Sequence, residues 1–437
     1  MNYGDREMQS LLDKEIQRQR TTLSLIASEN IVSEELLDAM GSCVVNKTVE
    51  GFPGQRFHAG CAVADEIEEL AMARARHLFG AGYANVQAHS GTQANQAALA
   101  GIARGGERIL SMALADGGHL SHGAKFNLSG TYYEPHHYKV DARSGLIDLD
   151  ILRDLTKSVR PAVLIAGGSS YPRDVDYAAF AAIAHEVGAK LLVDIAHFAG
   201  LVASGLLNDP VPHADVVTMS TYKGLRGPRG GLIVAKDPEL AARLRRGVFP
   251  YSQGTPAMNM IAAKAVCFQE ASLPSFAEYG RQALQSASRF ADALLQRGVQ
   301  LVTGGTDTSM LLVDLRESAV DGDLVVRRLE AVGILANRNL VPNDTRSAVQ
   351  TSGVRLSTSA LMSRGLPIES VDTLADVIAS ACAVDMPEGA MRACRAEVLA
   401  LCRAWPLSSR GARPLQTAQQ QECAEPVPCP LEKSDIS

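Results

Sequence analysis

The chain has 437 residues, 46% hydrophobic and 21% charged, with a formal net charge of −6. That is the composition of a folded protein long enough for two or three domains. It offers no basic field for nucleic acid or anionic lipid, no apolar run approaching a membrane span, and a polar start, Met1-Asn2-Tyr3-Gly4-Asp5-Arg6-Glu7, without a secretion signal's apolar core.

The first predicted element is an amphipathic helix over 5–20, with Met8, Leu11, Leu12 and Ile16 on one stripe. Such a stripe needs a covering surface, and another subunit would supply one. A second helix is expected over 63–79, where Val63, Ile67, Leu70, Ala71, Ala75 and Leu78 share a face. From there to about residue 236 short apolar runs alternate with helical segments. The expected strands are Ile109–Leu114, Ala162–Ala166, Leu191–Asp194, Val216–Ser220 and Gly231–Ala235, with Tyr177–Val187 among the helices. This alternation predicts an α/β fold, a mainly parallel sheet with helices on both faces. Its ligand is expected at the carboxyl ends of the strands.

After a helix-rich stretch near 256–298 the pattern changes to a smaller α+β unit. Strands are expected at Leu301-Val302, Met310–Leu315, Ile334–Ala336 and Val354–Ser357, and helices near 323–332 and 368–384. We divide the chain into an N-terminal arm (1–60), a large domain (61–277), a small C-terminal domain (278–405) and a polar tail (406–437) expected to be disordered. The eight cysteines are scattered without a C-x-x-C pair, as expected of free thiols in a reducing cytoplasm.

The chemistry begins with His89-Ser90-Gly91-Thr92-Gln93-Ala94-Asn95. A Ser-Gly-Thr turn opening a helix presents N–H groups and hydroxyls to an anion at the positive end of the dipole, as a phosphate monoester requires, although the same turn serves as an ordinary N-cap. Gly117-Gly118-His119 follows a strand and places an imidazole where it can stack on a planar ligand or move a proton. Asp194 ends the run Leu191-Leu192-Val193; a carboxylate at a buried strand end needs a partner, and a pyridinium nitrogen is one. Val217–Tyr222 runs into Lys223 and then the basic, glycine-rich Gly224–Gly231. A lysine desolvated beside other cations has a lowered pKa and is prepared to form an imine with an aldehyde. The aldehyde suggested is pyridoxal phosphate (PLP). Arg355, in Gly353-Val354-Arg355-Leu356, has the fork that matches a substrate carboxylate.

Several blocks occur in the order of the serine hydroxymethyltransferase family: Leu25-Ile26-Ala27-Ser28-Glu29-Asn30, Asn46-Lys47 with Glu50-Gly51-Phe52-Pro53-Gly54, His89-Ser90-Gly91, Gly117-Gly118-His119-Leu120, Val193-Asp194-Ile195-Ala196-His197, Lys223 with Gly227-Pro228-Arg229-Gly230-Gly231, and Val341-Pro342-Asn343-Asp344. The resemblance runs from about residue 10 to about residue 405. It implies the fold-type I architecture of PLP enzymes, and a dimer, or a tetramer of such dimers, with sites at the subunit interface.

Carried over residue by residue, the resemblance makes Lys223 the imine-forming lysine and Asp194 the partner of the pyridine nitrogen. His119 stacks on the ring, His197 and Ser169 lie near its hydroxyl, and Ser220 is a further cofactor-binding candidate. Ser90, Gly91 and Thr92 hold the phosphate, with Gln253 and Gly254 of a second copy. Arg355 and Ser28 bind the substrate carboxylate, Glu50 of the neighbouring subunit moves the substrate's proton, and Arg229 supports the lysine region.

The chain departs from the family pattern Asn-Lys-Tyr-x-Glu-Gly-Tyr-Pro-Gly-x-Arg-Tyr-Tyr-Gly-Gly at Thr48, Phe52, Phe57, His58 and Ala59, and the usual histidine before the lysine is Tyr222. Tyr251-Ser252-Gln253-Gly254-Thr255 and Ser357-Thr358-Ser359-Ala360 also depart. Thr48 opens volume near the substrate's Cα, Phe57 lacks a hydroxyl, and His58 adds an acid–base group to the catalytic candidates. Thr48, Phe57, His58 and Tyr222 join Ser28, Glu50 and Arg355 as substrate-binding candidates. These changes point to a remodelled pocket. The leading expectation is an aldolase or transaldolase that moves a glycyl unit onto a larger aldehyde without folate. The alternative is a folate-dependent serine or α-methylserine hydroxymethyltransferase, for which the family's folate contacts are partly kept at Glu50, Leu114, Leu120 and Asn339. A third reading, a non-catalytic scaffold subunit, is opposed by the joint presence of Lys223, Asp194, His119 and Arg355.

Overall fold

The computed structural model describes residues 4–413. Seven strands form its main sheet: β1 (Tyr83–Asn85), β2 (Arg108–Met112), β3 (Glu134–Tyr138), β4 (Val163–Gly167), β5 (Lys190–Asp194), β6 (Val216–Ser220) and β7 (Gly231–Ala235). Their order is β1-β7-β6-β5-β4-β2-β3; β7 runs antiparallel to both neighbours and the other pairings are parallel. The apolar runs are continuous because both faces are covered. In β4, Leu164 and Ala166 join one buried cluster and Val163 and Ile165 the other; in β5, Leu191 and Val193 separate from Leu192 in the same way.

The helices that matter for the site are α1 (Arg6–Thr21), α2 (Ala62–Phe79), α3 (Gly91–Ile102), α4 (Met258–Ala271) and α5 (Pro274–Gln296). The expected helix-rich stretch is thus two helices, split where Pro274 starts a new one. No residue of α1 is buried, and Met8, Leu11 and Leu12 of its apolar stripe stay exposed among the described residues.

A second, three-stranded antiparallel sheet has Gly353–Ser357 at its centre, flanked by Met310–Asp314 and Asn337–Asn339. The N-terminal arm is stitched beside it. Leu23–Ser24 pairs in parallel with Ile334–Leu335, and Ser357 N–H donates to the Leu25 carbonyl at 2.9 Å. Three expectations are corrected here. Leu301-Val302 is not a strand: it makes a single bridge to Val313 and enters a short 3-10 turn, with Thr303 at φ 66°. β3 was not foreseen, because Glu-Pro-His-His-Tyr lacks an apolar alternation; an edge strand tolerates that, proline included. The packed chain also runs past 405. Leu407 and Ala412 are buried, Arg410 pairs with Glu34 and Asp38, and Arg413 with Glu270. The remainder of the expected tail, with Cys423 and Cys429, lies outside the described residues. Among the described residues no helix is long and apolar enough to cross a membrane.

Candidate active site

β5 ends at Asp194 and β6 at Ser220, while β2 and β4 run out into the segments carrying His119 and Ser169. The antiparallel β7 begins at this same edge with Gly231. One recess there is lined by Ser90, Gly91, Thr92, His119, Gly168, Asp194, Ala196, His197, Ser220, Tyr222 and Lys223. Except for Gly168 and Ala196, these are residues chosen from the sequence. Ser169 stands next to the recess, its hydroxyl donating to the Gly118 carbonyl at 3.0 Å and its N–H to that of Gly117 at 2.7 Å. Gly117 turns the chain there at φ 114°, a conformation that a side chain would strain.

Lys223 is buried, with Nζ 2.9 Å from His197 Nε2. Burial lowers its ammonium to about 8; Asp194 opposes this, and Arg355 and Arg229 add to it. Its loop is held from several sides. Asn30 Nδ2 donates to the Lys223 carbonyl at 3.0 Å and lies 2.9 Å from the Tyr279 hydroxyl, and Arg226 N–H donates to the same carbonyl at 2.9 Å. Arg226 itself sits at φ 60°, its guanidinium over the rings of Tyr279 (4.1 Å) and Phe276 (4.8 Å).

Asp194 is buried, which by itself would favour the neutral acid. Hydrogen bonds from His122 Nε2 (2.9 Å) and Asn95 Nδ2 (2.7 Å), with His119 nearby, override this and hold the carboxyl well below the usual range. Asp194 Oδ1 accepts Ala196 N–H at 2.9 Å. A carboxylate has about four acceptor positions. These three donors therefore leave one for a further N–H. Thr218 Oγ1 in turn donates to Asn95 Oδ1. His119 Nδ1 lies 2.7 Å from Ser121 Oγ, and its ring meets that of His122 edge-on at 5.5 Å. Burial, then the neighbouring His122, lowers the His119 imidazolium to about 4, and burial lowers His197 well below the ordinary histidine value, so both rings are neutral at neutral pH.

The remaining candidates fall in two other places. Ser28 and Arg229 line a separate cavity of about 370 Å³ that Tyr222 shares with the recess; the Arg229 guanidinium lies 4.4 Å over the Tyr222 ring. Arg355 is buried on the central strand of the small sheet, donating from Nε to Asn337 Oδ1 (3.2 Å) and from one terminal nitrogen to the Ser169 carbonyl. Three of its five N–H groups remain for a ligand. Glu50, Thr48, Phe57, His58, Gln253 and Gly254 do not line the recess. They belong to a different patch, where Val49 N–H donates to Thr255 Oγ1 at 3.0 Å and a Cβ on Gly254 would lie 3.5 Å from Glu50 Oε1. Thr48, Phe57 and His58 are exposed on it. The sequence reading assigned no role to His122, Asn95, Asn30, Tyr279 or Arg226. His122 had a local signal, lying three residues after His119; the others depend on partners distant along the chain.

The family model for serine hydroxymethyltransferase matches residues 1–378. The chain is 48% identical over 408 residues to the serine hydroxymethyltransferase of Clavibacter michiganensis subsp. michiganensis, covering 92% of this chain and 95% of that one. It is 49% identical over 412 residues to serine hydroxymethyltransferase 1 of Mycobacterium tuberculosis, covering 92% and 93%. The chain belongs to the serine hydroxymethyltransferase family: it is a PLP-dependent enzyme of the transferase class, with the fold-type I architecture.

The recess fits the cofactor. It is lined by hydroxyls and the N-terminus of a helix, by an ionised carboxylate with an acceptor position remaining, and by a desolvated amine. The folded pKa of Lys223 lies below its unfolded value of 10.5, so its desolvation penalty is full below about pH 8 and is relieved as the pH rises toward 10.5. Cofactor-free protein is therefore expected to take up PLP faster as the pH passes through about 8 and to level off above it. Stopped-flow absorbance measures this, and an inflection near the ordinary lysine value would show a solvated amine instead.

Proposed function

We propose that the chain transfers a hydroxymethyl group reversibly between serine and a tetrahydrofolate carrier, as a cytoplasmic homodimer. One observation carries this reading: a desolvated lysine and an ionised aspartate share a recess with a phosphate-type turn, in a chain 48% identical to a serine hydroxymethyltransferase. That identity favours hydroxymethyl transfer over the transaldolase expectation.

Bound PLP supplies an aldehyde for imine exchange and an electron sink for the pair left when Cα–Cβ breaks. The residues do the rest. Lys223 would hold the cofactor through its desolvated amine. Asp194, ionised, would hold the proton on the cofactor's ring nitrogen. His119 offers a neutral ring to pack against the cofactor, and His197 stands beside the lysine's nitrogen. Arg355 would orient the substrate through its carboxylate, and Ser28, from the neighbouring cavity, is the second carboxylate contact that the resemblance implies. Glu50 of the partner subunit takes the hydroxyl proton of serine as the bond to Cα opens. The exposed Leu114 and Leu120 offer apolar surface for the carrier, near Asn339, whose Nδ2 donates to Ser170 Oγ.

The assay is serine cleavage with and without tetrahydrofolate. Brisk turnover only with the carrier supports the proposal; folate-independent cleavage of threonine in the presence of a larger aldehyde would restore the transaldolase reading. Thr48, on the same patch as Glu50 and brought with it to the site of the neighbouring subunit, favours a second reading, acceptance of α-methylserine, since the family's tyrosine there would crowd a methyl group on Cα. Restoring the ring with Thr48→Tyr is then expected to lower the preference for α-methylserine over serine about tenfold or more.

The interface is testable by mixing. Glu50→Gln and Lys223→Ala are each expected to be inactive as homodimers. Refolded together they should recover about a quarter of wild-type activity, because random pairing leaves one intact site in half of the dimers. No recovery would mean that Glu50 acts within its own chain.

A further inference from the structure

Lys264, on α4, is 1% exposed and takes no part in the chemistry above. Its Nζ donates to the carbonyls of Val86 (2.5 Å), Ala88 (3.0 Å) and Gly231 (2.8 Å). Three acceptors use all the hydrogens of an ammonium, so the geometry calls for the charged form. Burial draws the amine down to about 7, with Glu68 and Cys267 opposing; three carbonyl acceptors favour the charged form. Glu68 does not bond it, being taken by Arg56 at 2.6 Å and Gln87 at 2.7 Å.

The three carbonyls come from two segments. Val86 and Ala88 lie between the end of β1 and Ser90, whereas Gly231 opens β7 directly after the loop that follows Lys223. The Ala88 carbonyl also accepts Gly231 N–H at 2.9 Å, so ammonium and sheet bond close the same junction. The lysine's charge reaches the turn as well: His89, beside Ser90, is drawn down by burial and then by Lys264. Gly230 is shaped by the same side chain, since a Cβ there would lie 2.3 Å from Lys264 Cε and 2.8 Å from Nζ. A buried cation is costly to keep, and a methionine would fill much of the same space. Only the ammonium can draw three carbonyls from two segments to one point.

We propose that Lys264 is a positioning residue for the cofactor's phosphate end, fixing the Ser90–Thr92 turn against the loop that leaves Lys223. The proposal rests on the assignment of the phosphate to that turn, where no carried-over contact is a cation.

The test is the affinity of the full-length, cofactor-free dimer for PLP and for pyridoxal, which lacks the phosphate, read by absorbance with circular dichroism as the check on folding. Lys264→Met is expected to weaken PLP about tenfold or more, the loss of at least one buried hydrogen bond, while pyridoxal changes less than about threefold. Equal weakening of both ligands, or no change in either, overturns the proposal. Should Lys264→Met fail to fold, Gly230→Ala pushes the lysine's end off its carbonyls and is expected to show the same selective loss; an unaltered preference for PLP in that variant overturns the proposal too. A wild type that binds both ligands alike instead removes the phosphate assignment beneath it.

Discussion

Replacing Lys223 by alanine is expected to give a folded protein that holds PLP only reversibly and turns over serine on the order of a thousandfold more slowly or worse, as loss of a nucleophile does elsewhere. Borohydride reduction and peptide mapping should fix the cofactor to the Lys223 peptide in the wild type and to no peptide in the variant. The loss should not come from unfolding. A lysine held at about 8 rather than 10.5 burdens the cofactor-free fold by about 3 kcal/mol at neutral pH. Removing it should leave Tm unchanged or raise it, the usual exchange of stability against activity at a reactive site. Inactivity together with a Tm many degrees lower would point to a packing role.

Asp194→Asn should be nearly as damaging with even less change of shape. Oδ2 accepts from His122 and Asn95, and Oδ1 accepts from Ala196 N–H. An amide can turn its oxygen to the first pair, but its NH₂ then faces the Ala196 N–H and any protonated ring nitrogen, donor against donor. The ring loses both its counter-charge and its proton. The expected fall in kcat is about 10²–10³-fold, the cost of removing one preorganised electrostatic partner. A changed absorption band of bound PLP should accompany it, and the fold should be retained. A variant within tenfold of wild type and spectrally unaltered would falsify the pairing.

The elements and residues that were legible in the amino-acid sequence share a physical trait. Val216–Ser220 and Gly231–Ala235 were bounded correctly because a strand covered on both faces must be apolar throughout and stop where polarity begins. Asp194 stood out because a carboxylate at the end of a buried strand needs a partner, Lys223 because an apolar strand and a basic turn desolvate it, and Ser90 because Ser-Gly-Thr opens a helix. Glu134–Tyr138 was illegible because an edge strand needs no such pattern.

What the sequence alone determined is the family and the candidates for its chemistry: an amine, a carboxylate, a turn and a guanidinium, each marked by its local surroundings. Only the tertiary structure decided how they are held. Asn95 reaches Asp194 across 99 residues, Asn30 reaches the Lys223 carbonyl across 193, and Lys264 draws together carbonyls 178 and 33 residues away. Helical and strand periodicities report which face of an element is buried, not which distant polar group it meets there. Those pairings are set by the crossing of strand ends and helices in space, and the placing of Glu50 outside its own chain's recess follows from the same packing.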